Sequence, residues 1–204
     1  MPIQEPPRRR LILGSSSPYR RELLQRLRLT FETCAPDIDE NALPGEAPAA
    51  TAARLALAKA QAVARRYPEA LVIGSDQVAE LQGQAIGKPG DHERARAQLR
   101  LMSGRSVMFH TALAVVCAET GFVAQDLAPV RVRFRTLSER EIESYLLAEQ
   151  PYDCAGSAKV EGLGSVLLES VESDDPSALI GLPLIRTAAL LRRAGLSLLP
   201  GDLA

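Results

Sequence analysis

Apolar residues in this chain fall in short bursts separated by stretches of helical spacing, the alternation expected of an α/β protein. Leu11-Ile12-Leu13 is the first burst and reads as a buried strand. Gly14-Ser15-Ser16-Ser17 then runs directly into a helix from Pro18 to about Leu29. Ser17 suits the N-cap and Pro18 the first helical position, whose missing N–H costs nothing there. Phe31 and Thr33 begin a second strand, and an alanine-rich helix covers about Ala49 to Tyr67. Leu71-Val72-Ile73 is the next buried strand, closed by Gly74-Ser75. Val78 to Leu81 and Gln84 to Ile86 form a hairpin about Gln82-Gly83, where a tight turn needs positive φ.

Asp91 caps a helix ending near Ser103-Gly104. Ser106 to Val116 and Gly121 to Val123 read as strands around Glu119-Thr120. Ala128 to Arg135 alternates Val130, Val132 and Phe134 with Arg131, Arg133 and Arg135, a half-buried strand whose arginines form a solvated face. Ser138 and Glu141 make a capping box for a helix reaching about Glu149. Val166 to Leu168 is a strand, Ser173 to Pro176 a turn, and Leu184 to Ala194 the last helix. The organisation is a short extension over residues 1–10 followed by a single domain over 11–204.

Composition narrows the function classes. The 204 residues are 46% hydrophobic and 24% charged with a formal net charge of -1, a soluble globular balance without the cation excess of a nucleic-acid polymer binder or polybasic membrane surface. The longest apolar run, Ala112 to Ala118, is too short to span a bilayer, and the N-terminus carries no signal-peptide pattern. Cys34, Cys117 and Cys154 are odd in number and widely spaced, which favours a reduced, cytoplasmic setting. With His92 and His110 the only histidines, a zinc site built from several His or Cys ligands is not expected.

Three stretches carry candidate chemistry. Tyr19-Arg20-Arg21 places two cations in a helical first turn that already bears partial positive charge, an arrangement that suits an anion among them, although arginines pointing to solvent would read the same. Asp76 sits just past the Leu71 to Ile73 strand, where open α/β sheets bind ligands, and the hairpin register sets Gln77 opposite Lys88 and Asp76 nearby. A carboxylate beside an ammonium can hold a metal ion and an anionic substrate together; an ordinary hairpin with surface charges is the bland reading. Asp37, Asp39 and Glu40 could ligate a hard cation or form an exposed acidic loop. Lys59 lies on an apolar helical stripe, either snorkelling or reaching into a cleft. The small-residue loop from Cys154 to Gly164 lets backbone approach a ligand, with Glu161 able to accept hydrogen bonds from ring N–H groups.

Ser15-Ser-Ser-Pro-Tyr-Arg-Arg21, Gly74-Ser-Asp-Gln77, Gly87-Lys-Pro89, Ala155-Gly-Ser157, Glu161-Gly-Leu-Gly164 and Gly181-Leu-Pro183 together resemble the Maf family of nucleoside triphosphate pyrophosphatases, in order from about Leu11 to Ala194. The resemblance implies a two-lobed, inosine-triphosphatase-like α/β fold with a long mixed sheet, flanking helices and a deep central cleft. It implies metal-dependent hydrolysis of a nucleotide to its monophosphate and diphosphate. By the same resemblance Asp76 is the proton acceptor, Ser15, Ser17, Arg20, Lys59 and Lys88 bind phosphate, and Glu40 with Asp76 holds Mg²⁺ or Mn²⁺. Tyr19, Gln77 and Glu161 fall on the family's substrate-class positions. Gln77, Glu161 and Ala155-Gly-Ser-x-Lys159 resemble the subfamily acting on 7-methyl-GTP rather than that acting on dTTP and UTP. Tyr19 departs from that subfamily's Trp but keeps an aromatic face for a cationic base. The alternatives are a Maf-type dTTP/UTP enzyme, or a non-catalytic nucleotide binder linked to cell division. Assembly is open between a monomer and a homodimer. A serine hydrolase is disfavoured, since no Gly-x-Ser-x-Gly elbow is present.

Overall fold

The computed structural model describes residues 9–199, so most of the expected N-terminal extension, residues 1–8, and the terminal 200–204 lie outside the described residues. The chain forms β1 (Leu11–Leu13), α1 (Pro18–Gln25), β2 (Glu32–Thr33), α2 (Pro48–Ala64), β3 (Leu71–Leu81), β4 (Gln84–Ile86), α3 (His92–Met102), β5 (Ser106–Cys117), β6 (Phe122–Phe134), α4 (Glu139–Glu149), β7 (Leu168–Glu172) and α5 (Leu184–Arg193). The seven strands make one mixed sheet in the order β2-β1-β3-β5-β6-β7, with β4 paired to β3. The expected α/β architecture, with a long mixed sheet flanked by helices, is therefore present. Among the described residues no helix is long and apolar enough to cross a membrane.

Three expected boundaries are corrected. Leu71–Leu81 is one unbroken strand, so Asp76 lies within β3 and not past its end. Gly74 and Ser75, which look like a terminator, are there for close packing: a Cβ on Gly74 would lie 2.2 Å from the Ala56 carbonyl oxygen of α2, and the Ser75 hydroxyl donates to the Ala112 carbonyl at 2.8 Å. Phe122–Phe134 is likewise continuous. Pro129 is tolerated because β7 pairs with β6 only from Arg131 onward, leaving that edge of β6 free at Pro129. Leu163–Leu167 forms a 3₁₀ turn, and the strand expected at Val166 begins instead at Leu168.

Local chemistry accounts for much of the rest. The Gln82-Gly83 turn has φ of 53° and 81°, matching the right-handed twist of its strands. The Ser138 and Glu141 capping box forms. Arg131, Arg133 and Arg135 pair on the surface with Glu172, Glu169 and Glu141.

Strand alternation divides the sheet into two unlike faces. On one, Ile12, Val72, Ala112, Ala114 and Val116 pack against the alanines of α2. On the other lie two apolar clusters: Leu71, Ile73, Leu113 and Val115 with α1 and α5 residues, and Ala79, Leu81, Val107 and Phe109 with α3 and α4 residues. Between them sit Ser75, Gln77 and Thr111, all bonded to carbonyls of the segment Ala178 to Gly181. This polar belt is the seam between two lobes.

Gly74→Ala should destabilise the fold by about 1–3 kcal/mol or more, since backbone of α2 occupies the space a methyl would need. At ~2–4 °C of Tm per kcal/mol for a chain of this size, a thermal melt reads it directly. An unchanged Tm would contradict the α2 contact.

Candidate active site

The site follows from how β3 is paired. β1 pairs with it through Leu71 to Ile73 and β4 through Ala79 to Leu81, while β5 runs along it from Val72 to Glu80. Two partners cannot share an edge position, so β1 and β4 occupy the edge opposite β5. Gly74 to Val78 therefore have a strand neighbour on one side only, and the sheet has a notch there. The Ile73 carbonyl accepts from Gly14 N at 2.7 Å on that edge. By the antiparallel alternation, the backbone groups of Ser75 and Gln77 also turn toward the notch. A cavity of about 290 Å³ opens beside it, with Gln77 the residue of this stretch in its lining.

The loop leaving β1 forms one wall. Ser15 and Ser17 both line the cavity; Ser15 Oγ accepts from Ser17 N at 3.1 Å, and Ser17 Oγ caps α1 by accepting from Arg20 N at 3.4 Å. Arg20 enters the cavity and is anchored by Nε donating to the Gly181 carbonyl at 2.9 Å. Burial pulls its guanidinium down, and Asp76 and Glu40 pull it back up; it remains a cation. Arg21 is exposed and does not line the cavity, so Arg20 is the arginine of that pair directed into it.

Lys59 is 4% exposed, so of its two expected states it is the one that reaches into the cleft. Residues Leu55, Lys59 and Val63 share the buried stripe of α2, which lies over the Asp76 face of β3. Its ammonium lies 2.7 Å from Asp76 Oδ1 and 2.9 Å from Glu40 Oε2. Asp76 therefore pairs with Lys59, where the hairpin register had suggested Lys88. Lys88 lines the cavity just beyond the end of β4 and has no ion pair among the described residues. Asp76 itself lies behind Lys59, 7% exposed. Of the acidic loop, Glu40 alone reaches the cavity, while Asp39 caps its own turn by accepting from Asn41 N at 2.9 Å.

The donor set fits a hard divalent cation in one respect. Two carboxylates converge within 2.9 Å of a common nitrogen, and Mg²⁺ sites commonly use one or two carboxylates with waters and substrate phosphates. No cluster of three or more His, Cys, Asp or Glu side chains exists among the described residues, so the protein alone supplies an incomplete shell.

The opposite end of the cavity lies past β3. Gln77 points to the other sheet face from Asp76, and its Nε2 donates to Thr111 Oγ1 at 2.9 Å and to the Ala178 and Leu179 carbonyls at 3.0 Å. Three acceptors fix the amide orientation and leave Oε1 as the free acceptor. Tyr19, Phe109, Asp153, Cys154 and Glu161 complete this end. The Tyr19 hydroxyl donates to Asp153 Oδ2 at 3.3 Å, and burial, then Cys154 and Asp153, raise its pKa so that it keeps its proton. Burial, then Asp153, pushes the Cys154 thiol up to about 12, so it stays uncharged at neutral pH. Desolvation also pushes the Glu161 carboxyl up, opposed by a backbone hydrogen bond and Lys159. Gly164 permits the tight loop that carries Lys159, because a Cβ there would lie 2.5 Å from the Lys159 carbonyl oxygen.

Nine of the ten nominated residues thus line one cavity, and the tenth, Asp76, is joined to it through Lys59. Sequence reading missed Phe109, whose alternation marks it as core, and Asp153, which no motif signals. Lys59→Met should cost about 3–5 kcal/mol in urea unfolding, because it leaves Asp76 buried without its cation. Adding Asp76→Asn should recover part of that loss; strictly additive effects would deny the pairing.

The sequence profile of Maf-like proteins matches residues 10–194. A protein of Albidiferax ferrireducens named 7-methyl-GTP pyrophosphatase is 63% identical over 97% of this chain and 99% of its own. One of the same name from Polaromonas sp. is 65% identical over 95% of this chain and 88% of its own. Among solved structures, the Staphylococcus aureus Ham1 protein overlays 63% of this chain and 73% of its own with a TM-score of 0.47 at 13% identity. With the profile spanning nearly all of the described residues and relatives this similar over their full lengths, the chain belongs to the Maf family.

Proposed function

We propose that this protein is a nucleoside triphosphate pyrophosphatase that cleaves 7-methyl-GTP between its α and β phosphates, giving 7-methyl-GMP and diphosphate. The observation that carries the reading is the notch in β3. It brings Lys59, Asp76 and Glu40 on the α2 face together with Arg20 and the aromatic and acidic residues on the other face, so one ligand can lay its phosphates against the cations and its base against Tyr19 and Glu161. Relatives more than 60% identical carry the 7-methyl-GTP pyrophosphatase name, which supports the substrate.

Arg20, Lys59 and Lys88 hold the triphosphate and stabilise charge developing on the leaving diphosphate. Substrate oxygens compete with Asp76 and Glu40 for the Lys59 ammonium, so binding releases carboxylate oxygens that are tied up in the free protein. Asp76 then orients a water and accepts its proton as the water oxygen bonds the α-phosphorus and the bridging P–O bond breaks. A Mg²⁺ or Mn²⁺ ion, held by Asp76 and Glu40, would add neutralisation of the phosphate oxygens. Gln77 Oε1 and Glu161 accept hydrogen bonds from the base edge, and Tyr19 offers its face. The free state of Cys34, Cys117 and Cys154 agrees with a reducing, cytoplasmic setting.

Purified protein with Mg²⁺ should release diphosphate from 7-methyl-GTP in preference to GTP, dTTP and UTP. A preference for dTTP or UTP would overturn the substrate and leave the reaction, whereas release from none of them would point to a nucleotide binder. Asp76→Asn should fold and lose about 10²- to 10⁴-fold in kcat. Near-normal turnover by that variant would remove Asp76 from the role of proton acceptor.

A further inference from the structure

The base end of the cavity is more acidic than its nominated residues require. Asp153 and Glu161 both line it, and Glu149 stands just behind. Lys159 places its ammonium 6.0 Å from the centre of the Tyr19 ring. That ammonium is already committed to Glu149 Oε1 at 2.9 Å. One ammonium against three carboxylates leaves the surroundings of Tyr19 with an excess of negative charge. A neutral base gains nothing from such a field. A base carrying positive charge does.

Resting on the nucleotide reading above, we infer that Asp153 is a specificity-determining residue, selecting a cationic purine over its neutral parent from beside the Tyr19 ring. Its carboxylate acts in two ways. Oδ2 accepts the Tyr19 hydroxyl at 3.3 Å, which anchors the ring where it lines the cavity. Its charge lies at the edge of that same ring, where a base stacked on Tyr19 would sit, so ring quadrupole and carboxylate attract a cation together. Cys154 Sγ, at 3.5 Å from Oδ1, is a neutral neighbour and does not cancel that charge.

N7-methylation places a positive charge on the imidazole ring of guanine, so 7-methyl-GTP and GTP differ in the group that Asp153 would sense while carrying the same triphosphate. The ratio of their kcat/KM values therefore cancels the phosphate contribution and isolates the base. In Asp153→Asn, which can still accept the Tyr19 hydroxyl, that ratio should fall about three- to tenfold, mainly through KM for 7-methyl-GTP. Asp153→Glu should restore most of it. In the wild type the ratio should shrink as salt is raised, and in Asp153→Asn it should not. An unchanged ratio in Asp153→Asn, or an equal loss on both substrates, would overturn the inference while leaving the pyrophosphatase reading intact. Wild-type protein that releases no diphosphate from 7-methyl-GTP would overturn the parent reading and this inference with it.

Discussion

A strand in the middle of a sheet ordinarily has neighbours along both edges, and β3 departs from that rule at the cavity. β3 is paired on one edge throughout by β5, but its other edge is shared between β1 at one end and β4 at the other, with Gly74 to Val78 left between them. An interrupted edge would be a liability if it were flat, long and apolar. Here it is short and polar, with Gln77 and Lys59 in the lining and with walls from the loop Ser15 to Ser17 into α1 and from the segment Asp153 to Glu161. The cavity exists because the sheet is incomplete there.

The same gap explains how one site can treat two unlike chemical groups. Neighbouring residues of a strand face opposite ways, so Asp76 looks toward α2 and Gln77 toward the polar belt between the lobes. In a continuous sheet those two side chains would never meet one ligand. At an open edge a molecule can pass around the backbone and touch both. Lys59, Arg20 and Lys88 supply the cations of the cavity, and Glu40, Asp153 and Glu161 its carboxylates.

Lys59 is the element that stabilises the buried carboxylate of Asp76. A buried carboxylate without a partner would be costly, and an ammonium 2.7 Å away removes most of that cost. Its second contact, with the exposed Glu40, ties the acidic loop to the helix without burying another full charge. One ammonium thus gathers two carboxylates from separate parts of the chain at a single point beside the cavity.

The amino-acid order by itself determined most element types, the caps at Ser17, Asp91 and Ser138, the Gln82-Gly83 turn and nine of the residues gathered around the cavity, because these rest on local propensity, spacing and motif. It could not determine that Gly74 and Ser75 continue β3, since the reason is contact with α2 and with the Ala112 and Gly181 carbonyls, far away along the chain. Nor could it choose Lys59 over Lys88 as the partner of Asp76. That choice depends on which face of which helix lies over the strand. Asp153 was invisible for the same reason: a lone acidic residue acquires meaning only from the aromatic ring and the acidic neighbours that folding brings beside it.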